Sequence, residues 1–109
     1  MSERSPITTH VLDTTIGRPV ANVPVSLDFQ ASPQEWKSLG KGTTNADGRI
    51  ETLLPPKSPL KKGVYRLTFA GLKGFFPEVS VQFAVAAGEE HYHVPLLFSG
   101  FGYSTYRGS

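Results

Sequence analysis

The chain has 109 residues, with 11 Lys and Arg against 9 Asp and Glu and a formal charge of +2. That length suits a single domain, 1–109, which buries roughly 65% of its unfolded surface around one modest core. A hydrophobic fraction of 39% and a charged fraction of 18% exclude a disordered composition. The basic residues are scattered, with Lys61-Lys62 as the one adjacent pair, which excludes the basic stripe of a nucleic-acid binder.

Residues 1–6 read as a flexible N-terminal tail. From Ile7 to Asp13 the residues alternate, with Thr8, His10 and Leu12 on one face and Ile7, Thr9, Val11 and Asp13 on the other. β-branched residues dominate, so this is a predicted strand. Gly17 and Pro19 break it. Val23, Val25, Leu27 and Phe29 then line one face of a half-buried strand, and Pro24 suggests an edge or a bulge. Trp36 to Thr44 is a strand weakened by Gly40 and Gly42. Asn45-Ala46-Asp47-Gly48 is a turn by its residue chemistry, and Arg49 to Leu54 resumes β character. After a loop with three prolines, Val64 to Phe69 and Glu78 to Ala84 alternate again. The expected core is Val23, Val25, Leu27, Leu67, Phe69, Val81 and Phe83.

The C-terminal stretch runs His91-Tyr92-His93-Val94-Pro95-Leu96-Leu97-Phe98, then a Gly-containing turn, then Tyr103-Ser104-Thr105-Tyr106-Arg107-Gly108-Ser109. Strand chemistry almost to the last residue is unusual, because most domains end in a few polar residues. With a period of two, His91 and His93 project the same way, as do Ser104 and Tyr106, while Tyr103 and Arg107 project oppositely. No segment shows an apolar repeat of 3.6. Seven to eight short strands punctuated by Gly and Pro make an all-β sandwich.

The run from His91 to Leu97, followed closely by Tyr103 to Ser109 with its Tyr-Arg-Gly-Ser ending, resembles the C-terminal signature of the 5-hydroxyisourate hydrolases. These are the transthyretin-related enzymes of urate breakdown. The resemblance implies a transthyretin-like sandwich of two four-stranded sheets. Members of that group usually carry a short helix after the strand matching Val64 to Phe69, for which Ala70-Gly71-Leu72-Lys73-Gly74 looks too short. His10, Arg49 and His93 match the family's two catalytic histidines and arginine. Tyr106 matches the substrate-contacting tyrosine of the terminal motif, and Ser109 its last residue. The related hormone carrier differs at these positions, so their identity separates enzyme from carrier. The implied function is hydrolysis of 5-hydroxyisourate to 2-oxo-4-hydroxy-4-carboxy-5-ureidoimidazoline, and the implied assembly is a homotetramer, a dimer of dimers.

Taken without the resemblance, each of these residues has a plainer role. A lone histidine on a sheet face is usually a partly exposed polar residue, and most arginines are solvated. Tyr106 could simply cover apolar surface, and Ser109 could be a frayed end. The chemistry nevertheless suits hydrolysis: histidine transfers protons near neutral pH, and the arginine fork matches an imide or carboxylate bidentately. Three histidines without a carboxylate or cysteine nearby are a weak metal signal, and ring hydrolysis requires no redox step, so no metal and no cofactor is expected. The role of His91 stays open, as does which histidine is the base. There is no cysteine, hence no disulfide framework. A polar N-terminus, no long apolar run and an ending other than Ser-Lys-Leu point to the cytoplasm, with no membrane partner. A non-catalytic small-molecule carrier and a β-sandwich interaction module are the competing readings.

Overall fold

The computed structural model describes residues 5–86 and 90–108. Among them are nine strands: β1 (Ile7–Asp13), β2 (Arg18–Pro19), β3 (Pro24–Ser32), β4 (Glu35–Thr43), β5 (Arg49–Ile50), β6 (Gly63–Phe69), β7 (Val79–Val85), β8 (Tyr92–Phe98) and β9 (Tyr103–Thr105). Two of these, β2 and β5, are two-residue pieces that alternation over a longer window does not reveal. One sheet has the order β2-β1-β8-β9, with β5 also paired to β1; the other is β4-β3-β6-β7. β8 occupies one edge of β1, so β5 and β2 follow each other along its opposite edge. The result is the two-sheet, all-β sandwich that the periodicity predicts.

The inner faces follow the alternation. Ile7 and Val11 of β1, Val25 and Leu27 of β3, Leu67 and Phe69 of β6, Val79 and Val81 of β7, and Val94 and Leu96 of β8 are buried together. Phe83 is only partly buried against this core. Tyr65 packs edge-on to Phe29, with ring centroids 4.9 Å apart, and its hydroxyl donates to the Lys61 carbonyl at 2.8 Å. Buried polar groups are matched: Thr9 Oγ1 donates to the Val94 carbonyl at 2.6 Å, and Thr44 Oγ1 donates to Val20 and accepts from the Val23 N–H. Among the described residues no buried side-chain N or O lacks a partner, as a low-dielectric interior requires.

Several local expectations change. Pro24 does not mark an edge: β3 lies between β4 and β6, and Pro24 is its first residue, where a missing N–H is tolerated. The predicted strand Arg49 to Leu54 stops at Ile50, and the chain then turns Leu53 into the core. Of the expected tail over 1–6, residues 1–4 lie outside the described residues, and Ser5 is fully buried. Its N–H donates to the Glu51 carbonyl at 2.8 Å, and its hydroxyl bonds the Ile7 carbonyl and the Leu54 N–H. No helix follows Phe69; residues 70–78 are bends and irregular chain, held by Leu72 N–H to the Pro77 carbonyl and Phe75 N–H to the Gly100 carbonyl. No described helix is long and apolar enough to cross a membrane.

β4 (Glu35–Thr43) lies within one residue of the predicted Trp36 to Thr44, and its glycines have a packing reason. A Cβ on Gly40 would collide with the Leu53 carbonyl oxygen, and one on Gly42 would crowd the Ile50 side chain. Both therefore admit the 50–53 segment against the sheet. Gly40→Ala is expected to lower stability by about 1–3 kcal/mol, the usual cost of overpacking, whereas Gly102→Ala, whose Cβ would meet only Ser99 Oγ at 3.9 Å, should be near neutral. Thermal melts of the two variants check this, and equal melting temperatures would contradict it.

Candidate active site

The outer face of the β1–β8 ladder collects the histidines. In a parallel pair, residues level with one another share a face. The register sets Thr8 beside His93, His10 beside Pro95 and Leu12 beside Leu97, all directed away from the core residues Ile7, Val11, Val94 and Leu96. On the opposite edge of β1, His10 is level with Arg49 of β5. Side chains paired in this way stand roughly 5 Å apart at Cβ, and diagonal neighbours roughly 7–8 Å. Arg49, His10 and His93 thus fall on one outer sheet face, with Pro95 level with His10.

The turn before β5 explains how Arg49 reaches that place. Asn45 Oδ1 accepts from the N–H groups of Asp47 (2.9 Å) and Arg49 (3.0 Å), and the Asn45 N–H donates to the Arg49 carbonyl. This is an Asx-type closure. Gly48 completes it at φ +75°, a left-handed conformation that suits glycine. A Cβ there would also strike the Val11 carbonyl and Pro19. The Gly48 carbonyl accepts from the Val11 N–H at 2.7 Å. The turn is therefore bonded directly to β1, one residue from His10.

This neighbourhood biases His10 toward its neutral form. Partial burial and, secondly, the positive charge of Arg49 hold its pKa below the ordinary 6.5; a hydrogen bond to the Asp47 backbone and the Asp47 charge oppose them in smaller measure. A neutral imidazole can accept a proton, which an imidazolium cannot.

On the other side of the face, His91 and His93 converge as their spacing predicts. Thr8 Oγ1 lies 2.8 Å from His93 Nδ1 and 3.0 Å from His91 Nε2. Thr8 is buried although it belongs to the outer face, with 1% exposure, because the two rings cover it. The terminal segment closes this end. The Gly108 N–H donates to the His93 carbonyl at 2.8 Å, and a Cβ on Gly108 would lie only 2.7 Å from His93 Cδ2. Any larger residue would displace the ring.

Tyr106 lies beyond the end of β9 and is 56% exposed. The β8–β9 register, carried on to the His93–Gly108 bridge, sets it level with Pro95. Arg107 turns the opposite way, stacking over the Tyr92 ring at 4.5 Å and bonding Glu90 at 2.7 Å. Tyr103 packs edge-on to Phe76. Ser109 lies outside the described residues. Among the described residues no three His, Cys, Asp or Glu side chains come together to hold a metal ion. Thr8 is the residue that sequence reasoning passes over. Its signal is parity, since it shares the face of His10, but its bond to the distant His-x-His pair is not visible in a single sequence.

With this geometry in place, similarity to known proteins becomes informative. The HIUase/Transthyretin family profile matches residues 7–108. The 5-hydroxyisourate hydrolase of Salmonella typhimurium is 43% identical over 111 residues, covering 94% of this chain and 80% of the relative. The solved structure of Klebsiella pneumoniae 5-hydroxyisourate hydrolase is 36% identical, with a TM-score of 0.78 and all of both chains covered. Sea bream transthyretin in complex with thyroxine is 27% identical, with a TM-score of 0.84 and 95% of each chain covered. The chain belongs to the HIUase/Transthyretin family.

Proposed function

We propose that this chain is a hydrolase of 5-hydroxyisourate, acting in urate degradation as a single hydrolase domain. The observation that carries the reading is the grouping of His10, Arg49 and His93 on one outer sheet face. The same fold serves a protein in complex with thyroxine, so fold alone does not choose between carrier and enzyme; the side chains on this face support the enzyme. Relatives at about the same identity as the Salmonella protein, including that of mouse at 42% over 98% of its length, are also 5-hydroxyisourate hydrolases.

The reaction adds water to a ring carbonyl and breaks the adjoining C–N bond. A neutral histidine, His10 or His93, takes the proton from the attacking water, a role that typically contributes ~10²- to 10⁴-fold. Arg49 holds the substrate with its planar fork and stabilises the oxyanion that develops on the carbonyl. The other histidine or Tyr106 orients the ring or delivers a proton to the leaving nitrogen, and Ser109 is assigned to substrate binding by its match to the family's last residue. Protein side chains suffice for each of these steps.

A homotetramer, a dimer of dimers, fits this surface. β7 and β9 are the end strands of their sheets, and an unpaired strand edge invites pairing. A second copy over the β1–β8 face would convert an open surface into a cleft with Tyr106 in its wall. Cytoplasmic location goes with a soluble substrate of purine breakdown.

The test is to generate 5-hydroxyisourate in situ from urate with urate oxidase and follow its ultraviolet decay. Wild-type protein at micromolar concentration is expected to accelerate the decay; no acceleration would sink the hydrolase reading. Arg49→Lys keeps the charge but loses the fork, so kcat/KM should fall at least about tenfold, equivalent to ~1.4 kcal/mol. Near-wild-type kinetics would return Arg49 to the solvated surface.

A second prediction concerns His10. Its lowered pKa means that the proton-accepting form persists as pH falls below 6.5, so its contribution to activity is lost only at more acidic pH. An NMR titration of His10 should have its midpoint below that value, and Arg49→Gln should move the midpoint upward by removing a nearby positive charge. A midpoint at or above 6.5 in the wild type, or one unmoved by the substitution, would contradict this electrostatic account.

A further inference from the structure

Thr8 is more than a neighbour of the proposed site. It is buried, and its single hydroxyl bridges His93 Nδ1 at 2.8 Å and His91 Nε2 at 3.0 Å. A threonine hydroxyl carries one proton and can accept two. It can therefore donate to only one of these two nitrogens. The other completes its bond only as an N–H donor. The protonation of the two rings is thus linked through one oxygen atom, in a site from which solvent is excluded at Thr8 itself.

Hydroxyl groups between two imidazoles have a chemical use. A histidine that takes a proton on one ring nitrogen becomes more acidic at the other, so a partner able to receive that second proton keeps the ring neutral. We propose that Thr8 is a positioning residue that fixes the tautomer of His93 and relays its proton to His91, which stores the charge during turnover. This rests on the hydrolase reading and assigns His93 the proton-accepting role within it.

In the resting state His93 Nδ1–H donates to Thr8 Oγ1, and the Thr8 hydroxyl donates to His91 Nε2. His93 Nε2, on the far side of the ring from Thr8, takes a proton from water as the water oxygen bonds to the substrate carbonyl carbon. The Nδ1 proton passes to Thr8 Oγ1 while the hydroxyl's own proton passes to His91 Nε2. Three N–H or O–H bonds form and three break. The net result is hydroxide added to the substrate and one extra proton on His91. Reversal of the relay returns that proton through His93 Nε2 to the leaving nitrogen. The arrangement also gives His91 a function, although it lies just outside β8.

The backbone supports this role. His93 and Thr8 are level in the β1–β8 ladder, and the Gly108 N–H holds the His93 carbonyl from the other side. Thr8 and His93 are therefore fixed relative to each other by main-chain bonds.

The first test needs no variant. Long-range ¹⁵N correlation spectra of the wild-type protein, at a pH where both rings are neutral, report which ring nitrogens carry protons. The expected pattern is a proton on His93 Nδ1 and none on His91 Nε2, and any other arrangement overturns the proposal. The second test compares Thr8→Val with Thr8→Ser. The valine variant should lower kcat about tenfold or more, as misplacement of a reacting group does, with KM within about twofold, and His93 should become a mixture of tautomers. The serine variant should recover most of the loss. A valine variant with wild-type kcat, or a serine variant as slow as the valine one, overturns the relay. The spectra do not depend on activity. An inactive wild type with the stated tautomers would sink the hydrolase reading and leave the Thr8 link standing, whereas an active wild type with a different pattern would sink the link alone.

Discussion

The parallel pairing of β1 with β8 is the constraint on which the rest depends. All seven residues from Ile7 to Asp13 are level with seven from Tyr92 to Phe98. The strands lie at opposite ends of the sequence, so their pairing closes most of the chain into a loop and carries the entropic cost of doing so. The other sheet, β4-β3-β6-β7, forms within that loop and supplies the apolar surface that repays it. Register is strict because one face is core. A slip of one residue would turn Ile7 and Val11 to solvent and drive Thr8 and His10 inward. The hydrophobic pattern of the inner face therefore specifies, as a by-product, which polar residues meet on the outer one.

Polar residues on this outer face are organised by backbone bonds rather than by mutual attraction. Arg49 is carried by an Asx-closed turn bonded to β1, His93 by the ladder and by Gly108, and His10 by the centre of β1. Bringing an arginine beside a histidine opposes protonation of the imidazole, so the fold holds together two groups whose charged forms would repel. Such a pairing does not favour the charged imidazole, and the proposed hydrolysis is the use we assign to it. Arg66 on the other sheet is a contrast: it meets Asp28 at 3.0 Å and stacks on Trp36 at 4.2 Å, the ordinary treatment of a half-buried cation.

Much of this was legible in the sequence where the signal is local. The period-two alternation of β1, β3, β6 and β7, with their buried Val, Leu and Phe, follows from a sheet with one apolar face. The same parity places Thr8 with His10 and His91 with His93. Features set by distant partners were not legible. Gly40 lowers strand propensity locally, yet it is required because Leu53 passes over it. β2 and β5 are too short for periodicity and exist because β1 offers them an edge. Ser5 looks like tail until the Glu51 and Leu54 backbones satisfy it. Tyr106 lies past the end of β9, where alternation alone no longer assigns it to a face. The bond from Thr8 to the two histidines spans more than 80 positions, and no single-sequence pattern reports it.

The central claim is that substrate lies on the outer face of the β1–β8 ladder, between Arg49 and His93. A crystal structure with a hydrolysis-resistant planar purine analogue tests it most directly. The account predicts the ring system within hydrogen-bonding distance of the Arg49 guanidinium and of at least one of His10 and His93. An analogue seated instead in the apolar groove between β7 and residues 105–107, which is lined by Val81, Phe83 and Tyr92, with nothing ordered over the histidines, would contradict it.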